Sequence, residues 1–361
     1  MIKILRVSTH PTNSNHGVGL HSFKISDINN LETTFVCPLI SRNDEYKKSD
    51  NFTLIESNIF FSKRPIGVSV IGRIIFQVKR VVKITKFSWI CVKYARENNV
   101  DIIHIHSPMY FLVAVWGKLT SKLTCITYHG TDYVRIKSSS TYQWLSTRII
   151  DIGCCISRHM MSDMSDFHKK VYYTPNGIDS EVFVNQNVQR ETSILAVGSL
   201  KREKCFDNLI LAFKNVLKTH PGYKLKIAGD GPLREMLEDL TNCEGLNDNV
   251  TFLGNLDLEK LVMQYNHAEI LILSSESEGF PKVVLEGIFC GCKVISTNVG
   301  SLNEFMPSKY LMKDNSINSL CRGMKNIIES DDYWMDIEAL KSNYTWQKTI
   351  EKYIEIYENN I

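Results

Sequence analysis

The chain has 361 residues, of which 43% are hydrophobic and 22% charged, and its net charge is +3. This length is enough for two domains with separate cores, and these fractions are typical of a globular enzyme. The small net charge gives no reason to expect a nucleic-acid partner. No run of about 18 uncharged apolar residues exists, which argues against a membrane-spanning helix.

The start of the chain and its cysteines indicate a cytoplasmic protein. Residues 1–8 are too short and too charged for a signal peptide. Ten cysteines occur without a Cys-x-x-Cys pair, so we expect reduced thiols in the core.

The first half of the chain alternates predicted strands and helices. Strands are predicted over 2–7, 35–40, 101–106, 125–129, 149–156 and 171–174, and helices from about 20 and over 70–98. Between them, residues 42–58 are predicted to be irregular.

The second half repeats this alternation. Strands are predicted over 193–197, 224–228, 250–253, 270–273 and 292–296, and helices over 207–219, 232–240, 258–266 and from Pro281 to before Gly291. The pattern predicts an α/β protein with two Rossmann-like, doubly wound parallel sheets that face a central cleft. We expect domains over 1–178 and 191–342, a linker over 179–190, and a final amphipathic helix within 343–361.

The predicted helix over 70–98 lies in a strongly basic segment. Residues 61–96 contain nine Lys or Arg and no Asp or Glu. Basic residues recur on one side of the helix and apolar residues on the other: Arg73, Lys79, Arg80, Lys83 and Lys86 against Ile71, Ile74, Ile75, Val78 and Val82. Such a helix either binds an anionic membrane surface or packs on the core with a solvated basic face.

Three histidines near predicted strand ends raise the question of a metal site. His104 and His106 face the same way on one strand, and His129 ends the next. A zinc site would need further ligands and a supporting shell, and the sequence offers neither. We expect no metal.

Two loops that follow predicted strands carry residues suited to phosphate. The loop 198–204 begins with Gly198, which allows close backbone approach, and it contains the cations Arg202 and Lys204. A solvated loop of charges is the alternative. The segment 229–232, Gly-Asp-Gly-Pro, is typical of a tight turn before a helix.

The most informative stretch is Glu278-Gly-Phe-Pro-Lys-Val-Val-Leu-Glu286, which follows the apolar strand 270–273. Ligands of parallel sheets bind beyond the carboxyl ends of the strands, and a helix N-terminus favours an anion. A single Glu at such a place is more often a charge that complements the helix dipole.

Taken together, these segments resemble the retaining glycosyltransferases of family 4, which have the GT-B fold. The stretch 278–286 resembles the family's Glu, seven residues, Glu signature, and 127–132 resembles its His-Gly segment. The loop 198–204 is similar to its basic motif, except that Ser199 and Cys205 stand where Arg and Gly are usual. The resemblance covers nearly the whole chain and implies that the final helix returns to the first domain.

The resemblance also implies residue roles. His129 and Glu278 would act on the donor sugar, Lys204 would hold the diphosphate, and Glu286 the ribose. The implied donor-binding residues are Gly17, Gly198, Arg202, Lys204, Gly279, Phe280, Pro281, Lys282 and Glu286.

The implied activity is sugar transfer, with retention, from a nucleotide-diphosphate sugar to a hydroxyl of a glycan or lipid-linked acceptor. A UDP-sugar is favoured over a GDP-sugar, and the expected setting is bacterial surface polysaccharide synthesis, such as lipopolysaccharide or capsule, at the inner face of the membrane. The lack of an Asp-x-Asp motif and of a Gly-Lys-Ser/Thr loop argues against a required Mg²⁺ or an NTPase. The alternatives are a UDP-sugar 2-epimerase and a non-catalytic nucleotide-sugar-binding protein.

Overall fold

A computed structural model describes residues 1–8, 17–26, 31–38, 51–59 and 69–361. The chain divides into two compact units. Unit 1 comprises Met1–Pro175 and Thr349–Ile361, and unit 2 comprises Asn176–Lys348. The segment 179–190, predicted as a linker, lies within unit 2.

In the described part of unit 1, seven parallel strands form one sheet in the order β3-β2-β1-β4-β5-β6-β7. The strands are β1 Ile2–Val7, β2 Leu31–Pro38, β3 Phe52–Ser57, β4 Ile102–Ile105, β5 Leu123–Tyr128, β6 Ile152–Cys155 and β7 Val171–Tyr173. The strand order reverses between β1 and β4. This reversal is the switch point of the sheet, the place where ligands of such sheets bind.

Six of the described helices of unit 1 lie between its strands in the chain, and several begin at a serine cap. They are α1 Gly17–Lys24, α2 Val70–Glu97, α3 Phe111–Leu119, α4 Gly130–Lys137, α5 Ser140–Ile149 and α6 Arg158–Met164. Ser69, Ser139 and Ser157 each accept a hydrogen bond from a backbone amide of the first helical turn. None of the described helices has the length and apolar character needed to cross a bilayer.

Unit 2 contains a second parallel sheet in the order β10-β9-β8-β11-β12-β13. Its strands are β8 Glu191–Val197, β9 Lys224–Ala228, β10 Val250–Gly254, β11 Ala268–Leu273, β12 Lys293–Thr297 and β13 Leu311–Met312. The helices that follow these strands are α7 Phe206–Leu217, α8 Arg234–Cys243, α9 Leu258–His267, α10 Lys282–Phe289, α11 Ile317–Ile328 and α12 Ile337–Tyr344. The order reverses between β8 and β11, which is the switch point of this sheet.

The predicted fold class of two doubly wound parallel sheets is confirmed, with one local error. Residues 42–58 were expected to be irregular, but Phe52–Ser57 form the strand β3. This strand lies at the edge of the sheet and exposes Thr53 and Glu56. Its sequence therefore lacks the continuous apolar run that is typical of a buried strand.

The last helix, α13 (Trp346–Glu358), contributes buried tyrosines to unit 1. The hydroxyl of Tyr357 lies 2.7 Å from His104 Nδ1, and that of Tyr353 lies 2.7 Å from Thr127 Oγ1. Because these polar groups are buried, each needs its partner. Residues at the end of the chain therefore complete the core of the first unit.

Arg190 anchors the start of β8 to two helix ends in unit 2. Its Nη1 donates to the carbonyls of Tyr265 (3.2 Å) and Ala268 (2.6 Å), and Nη2 donates to that of Cys290 (2.7 Å). These carbonyls lie at the carboxyl ends of α9 and α10, where a positive charge is favourable.

Replacing this anchor should destabilise unit 2. We expect Arg190→Ala to lower the free energy of unfolding in urea by about 2–3 kcal/mol, because three carbonyls lose a charged donor. Arg322→Ala removes an arginine at the surface of the same unit and should change it by less than about 0.5 kcal/mol. Equal losses in the two variants would show that Arg190 is not an anchor.

Candidate functional site

The switch point of unit 2 brings together two loops that are far apart in sequence. Strands β8 and β11 are paired, with Ile194 opposite Ile270, so the loops 198–205 and 274–281 leave the sheet side by side. Ser274 Oγ donates to the carbonyl of Lys204 over 2.8 Å. The amide of Glu276 donates to the carbonyl of Glu203, also over 2.8 Å. The two loops are thus tied together by backbone as well as by side chains.

Between these loops the structure pairs Lys204 with Glu278. The ammonium of Lys204 contacts Glu278 Oε1, and Ser275 Oγ donates to the same oxygen over 2.8 Å. The side chains of Lys204 and Glu278 are only 19% and 15% exposed. Two of the predicted site residues therefore form one shielded ion pair.

Glycines shape the neighbouring loops by allowing backbone-to-backbone contact. A Cβ on Gly229, whose φ is +135°, would lie 1.9 Å from the carbonyl oxygen of Gly198. A Cβ on Gly231 would lie 2.6 Å from that of Leu200. The 229–232 segment is architectural, as its turn sequence indicates, because only glycine permits this approach.

Gly198 and Cys205 flank the basic part of the first loop. A Cβ on Gly198 would meet the stem of Lys204 at 3.6 Å, so this glycine borders the lysine directly. Cys205 has φ 52° and ψ 41°, the left-handed conformation that disfavours residues with a Cβ. Its Sγ lies 2.9 Å from Asn315 Nδ2. The position where the family resemblance implies Gly thus has a backbone that suits Gly.

The helix α10 starts immediately after the second loop. Its N-cap is Pro281, no side chain caps it, and its first turn contains no acidic residue. The predicted site residues Gly279 and Lys282 are partly buried, and the amide of Lys282 donates to the carbonyl of Phe280 over 3.0 Å. The ring of Phe280 packs near Phe305 and Tyr344, which makes it part of the core.

Glu286 lies within α10 and is almost completely buried, at 3% exposure. The hydroxyl of Tyr265 donates to its Oε2 over 2.9 Å. Burial raises the pKa of Glu286, while the Lys282 charge and the Tyr265 hydrogen bond oppose that rise. The carboxyl group of Glu286 is thus held by Tyr265, whereas that of Glu278 is held by Lys204.

The remaining predicted donor-binding residues are less constrained. Arg202 begins the 3-10 turn Arg202–Lys204 and is exposed. Gly17 is the first residue of α1, and residues 9–16 of the preceding loop lie outside the described part of the chain.

At the switch point of unit 1, a buried polar cluster surrounds His129. Arg6 Nη1 donates to His104 Nδ1 (2.9 Å) and to His106 Nε2 (3.4 Å). The ring of His21 lies 5.1 Å from that of His129. Burial lowers the pKa of His129 to about 4, and burial together with Arg6 holds the pKa values of His104 and His106 well below the usual range.

His104, His106 and His129 are therefore neutral near pH 7. His129 Nε2 is buried and has no hydrogen-bond partner among the described residues, so it is an unused polar atom. No group of three or more described His, Cys, Asp or Glu side chains is arranged to hold a metal ion.

Sequence reasoning missed several residues that support the site. Ser275 and Tyr265 hold the two glutamates, and Arg6 and His21 belong to the histidine cluster. Ser275 follows the predicted strand, so its position at a strand end is a weak signal. The other three side chains meet their partners through distant contacts that leave no local pattern.

Two family models match the chain in succession. The model for glycosyltransferase family 4 matches residues 30–182, and the model described as glycosyl transferases group 1 matches residues 178–342. Together they span residues 30–342, which include all the predicted site residues except Gly17.

Individual proteins show the same relationship. An uncharacterised glycosyltransferase of Methanocaldococcus jannaschii is 25% identical over 87% of this chain and 88% of its own. A component of human phosphatidylinositol N-acetylglucosaminyltransferase is 25% identical over 73% of this chain and 58% of its own. The crystal structure of Anabaena HepE with UDP and glucose is 16% identical, covers all of both chains and has a TM-score of 0.72. This structural match confirms the predicted GT-B fold class.

The left-handed backbone at Cys205 gives a test of the loop geometry. Cys205→Gly and Cys205→Ala both remove Sγ, but only glycine relieves the strain, so we expect the Gly variant to be about 0.5–1 kcal/mol more stable in urea unfolding. At the helical position Cys243 the order should reverse, with Ala more stable than Gly. If Cys205→Ala is as stable as Cys205→Gly, the left-handed backbone at position 205 is not strained.

Proposed function

The chain belongs to the group 1, family 4 glycosyltransferases, and we propose that it transfers a sugar from a nucleotide-diphosphate sugar to a hydroxyl acceptor with retention of configuration. The observation that carries this proposal is the shielded Lys204–Glu278 pair at the switch point of unit 2. A UDP-sugar is the favoured donor, because HepE, which shares the fold, binds UDP.

Unit 2 supplies the groups for the nucleotide part of the donor. The Lys204 ammonium and the uncapped start of α10 offer positive charge to the diphosphate. Glu286, buried in the same helix, accepts hydrogen bonds from the ribose hydroxyls in this proposal. Negative charge grows on the diphosphate as the sugar leaves, so stabilising it is the main electrostatic contribution to catalysis.

Glu278 and His129 act on the sugar. Glu278 accepts hydrogen bonds from sugar hydroxyls through a carboxylate that loop 274–281 holds in place. His129 is neutral at pH 7 and uses its unpartnered Nε2 as a hydrogen-bonding atom rather than as a charged acid. Lys204 supplies the charge that a metal would otherwise bring, so we propose that transfer requires no divalent cation.

The acceptor is a lipid-linked or glycan hydroxyl at a membrane, and the exposed half of α2 supports this choice. Ile71 is 70% exposed and Val78 58%, and they lie with Ile74, Ile75 and Val82 on one surface, the α2 apolar face. From Phe87 onward one side of the same helix is buried, at Phe87, Ser88, Cys91, Val92 and Ala95. We therefore propose that the first half of the helix binds a membrane surface and that the second half packs on the core.

An anionic bilayer is the partner that matches this face. Apolar side chains of this size enter the boundary between head groups and acyl chains, while Arg73, Lys79 and Lys86, all exposed, attract anionic lipid. The human relative is by name part of a phosphatidylinositol N-acetylglucosaminyltransferase, which is consistent with a lipid acceptor. We place the activity at the cytoplasmic side of a cell membrane, in surface polysaccharide synthesis.

Transfer activity is tested after a thermal-shift screen against UDP-, GDP- and ADP-sugars has identified the donor. We expect Lys204→Gln to lower kcat/KM by about 100-fold and Glu286→Gln by about 10-fold, measured as acceptor-dependent release of nucleoside diphosphate. Lys201→Gln, an exposed lysine of the same loop, should retain activity.

Wild-type turnover in both site variants would contradict these assignments. Formation of epimerised sugar without an acceptor would indicate the 2-epimerase instead. Donor binding without any turnover would indicate the non-catalytic nucleotide-sugar-binding protein.

Membrane attachment is tested by co-sedimentation with vesicles. We expect binding to vesicles that contain phosphatidylserine and little binding to pure phosphatidylcholine. Ile74→Asp and Val78→Asp together should abolish the binding, because charges cannot enter the apolar boundary. Met263→Asp, at an exposed methionine of unit 2, is the control. Equal binding to both kinds of vesicle, or unchanged binding of the double variant, would show that the α2 apolar face is not a binding surface for anionic membranes.

A further inference from the structure

The ion pair at the switch point of unit 2 has a consequence for product release. Lys204 and Glu278 are each other's partner, and both side chains are shielded from water. In the proposed function, which this inference assumes, the donor diphosphate needs the Lys204 ammonium and the donor sugar needs the Glu278 carboxylate. Any ligand that draws Lys204 away leaves a shielded carboxylate without its cation.

The loops leave little freedom to avoid this competition. The carbonyl of Lys204 accepts from Ser274 Oγ, and that of Glu203 accepts from the amide of Glu276. Thr297 Oγ1 donates to the carbonyl of Ser275 over 2.7 Å, which ties the second loop to the end of β12. Behind it, Gly300 approaches so closely that a Cβ there would lie 2.9 Å from the carbonyl oxygen of Glu278. The pair therefore separates through side-chain rotation, while the loops stay in place.

An intact donor and a free nucleoside diphosphate differ in whether they offer the Glu278 carboxylate new hydrogen bonds once Lys204 has moved to the phosphate. Both place phosphate oxygens where Lys204 can bind them. Only the intact donor also brings sugar hydroxyls, which donate hydrogen bonds to the carboxylate that Lys204 has left. With the diphosphate alone, Glu278 keeps the Ser275 hydrogen bond but remains close to an anion.

We propose that Glu278 makes unit 2 discriminate between the intact nucleotide-diphosphate sugar and the free nucleoside diphosphate. The carboxylate competes with the diphosphate for Lys204, and this competition is relieved only while a sugar is attached. The product of transfer is therefore bound less tightly than the donor, which favours its release. Glu278 is a specificity-determining residue in addition to its contact with the sugar.

The test compares the two ligands in the wild type and in Glu278→Gln by isothermal titration calorimetry. The ligands are UDP and UDP-glucose, or the corresponding pair for the nucleotide that the donor screen identifies. Glutamine keeps the size of the side chain and an oxygen for Ser275 Oγ, but it carries no charge. Glu276→Gln removes the same charge from an exposed position of the same loop and is the matched control.

We expect Glu278→Gln to bind the nucleoside diphosphate about 10-fold more tightly than the wild type does. Affinity for the intact donor should stay equal or fall, so the preference for the donor shrinks by at least that factor. Glu276→Gln should leave both affinities within about 2-fold of the wild type, because an exposed charge is screened by solvent. Thermal unfolding of all three proteins shows that the comparison is made on folded protein.

Two results overturn the inference, and they differ from failure of the proposed function. If Glu278→Gln binds the nucleoside diphosphate no more tightly than the wild type, the pair is only structural. If Glu276→Gln tightens binding equally, the effect is general electrostatics and not a property of Glu278. If no nucleotide or nucleotide sugar binds the wild type, the proposed function itself fails, and the inference fails with it.

Discussion

A lysine ammonium and a glutamate carboxylate, both shielded from water, lie together at the place where the sheet of unit 2 reverses its strand order. Such a pair is stable only where its surroundings hold both charges in contact, because either charge alone would be costly to bury. Here two hydrogen bonds join the loops that carry the pair, one from the Ser274 side chain and one from the Glu276 amide. In addition, Ser275 donates a hydrogen bond to the Glu278 carboxylate. The donor site that we propose depends on this arrangement.

Both sheets have a switch point where the strand order reverses, but the polar groups at the two switch points differ. In unit 2 the switch point offers a charged pair and an uncapped helix start, which suit an anionic ligand. In unit 1 it offers histidines kept neutral by burial beside Arg6, which suit hydrogen bonding to uncharged groups. In the function that we propose, unit 2 therefore supplies the groups that bind phosphate and unit 1 those that bind hydroxyls.

Much of this was accessible from the sequence, because local rules set where helices and strands begin and end. Gly291 was predicted to end α10, and it follows the helix with φ +85°. Lys204 and Glu278 were both predicted as site residues, from their positions in loops after apolar strands together with the resemblance to family 4. The edge strand β3 was missed, because its mixture of exposed and buried residues does not resemble a buried strand.

Other features depend on contacts between residues distant in sequence. Lys204 and Glu278 are 74 positions apart, so no spacing rule predicts that they pair. The hydrogen bonds between Tyr265 and Glu286 and between Tyr357 and His104 could not be predicted from the sequence for the same reason. The difference between the exposed first half of α2 and its second half, which buries one side, depends on tertiary packing, and periodicity along one helix does not report that packing.

The most direct measurement is a crystal structure of the protein with the nucleoside diphosphate of its donor. We predict diphosphate oxygens at the switch point of unit 2, with Lys204 Nζ about 3 Å from one of them and no longer on Glu278. A diphosphate bound elsewhere, with the Lys204–Glu278 contact intact, would contradict the proposed donor site.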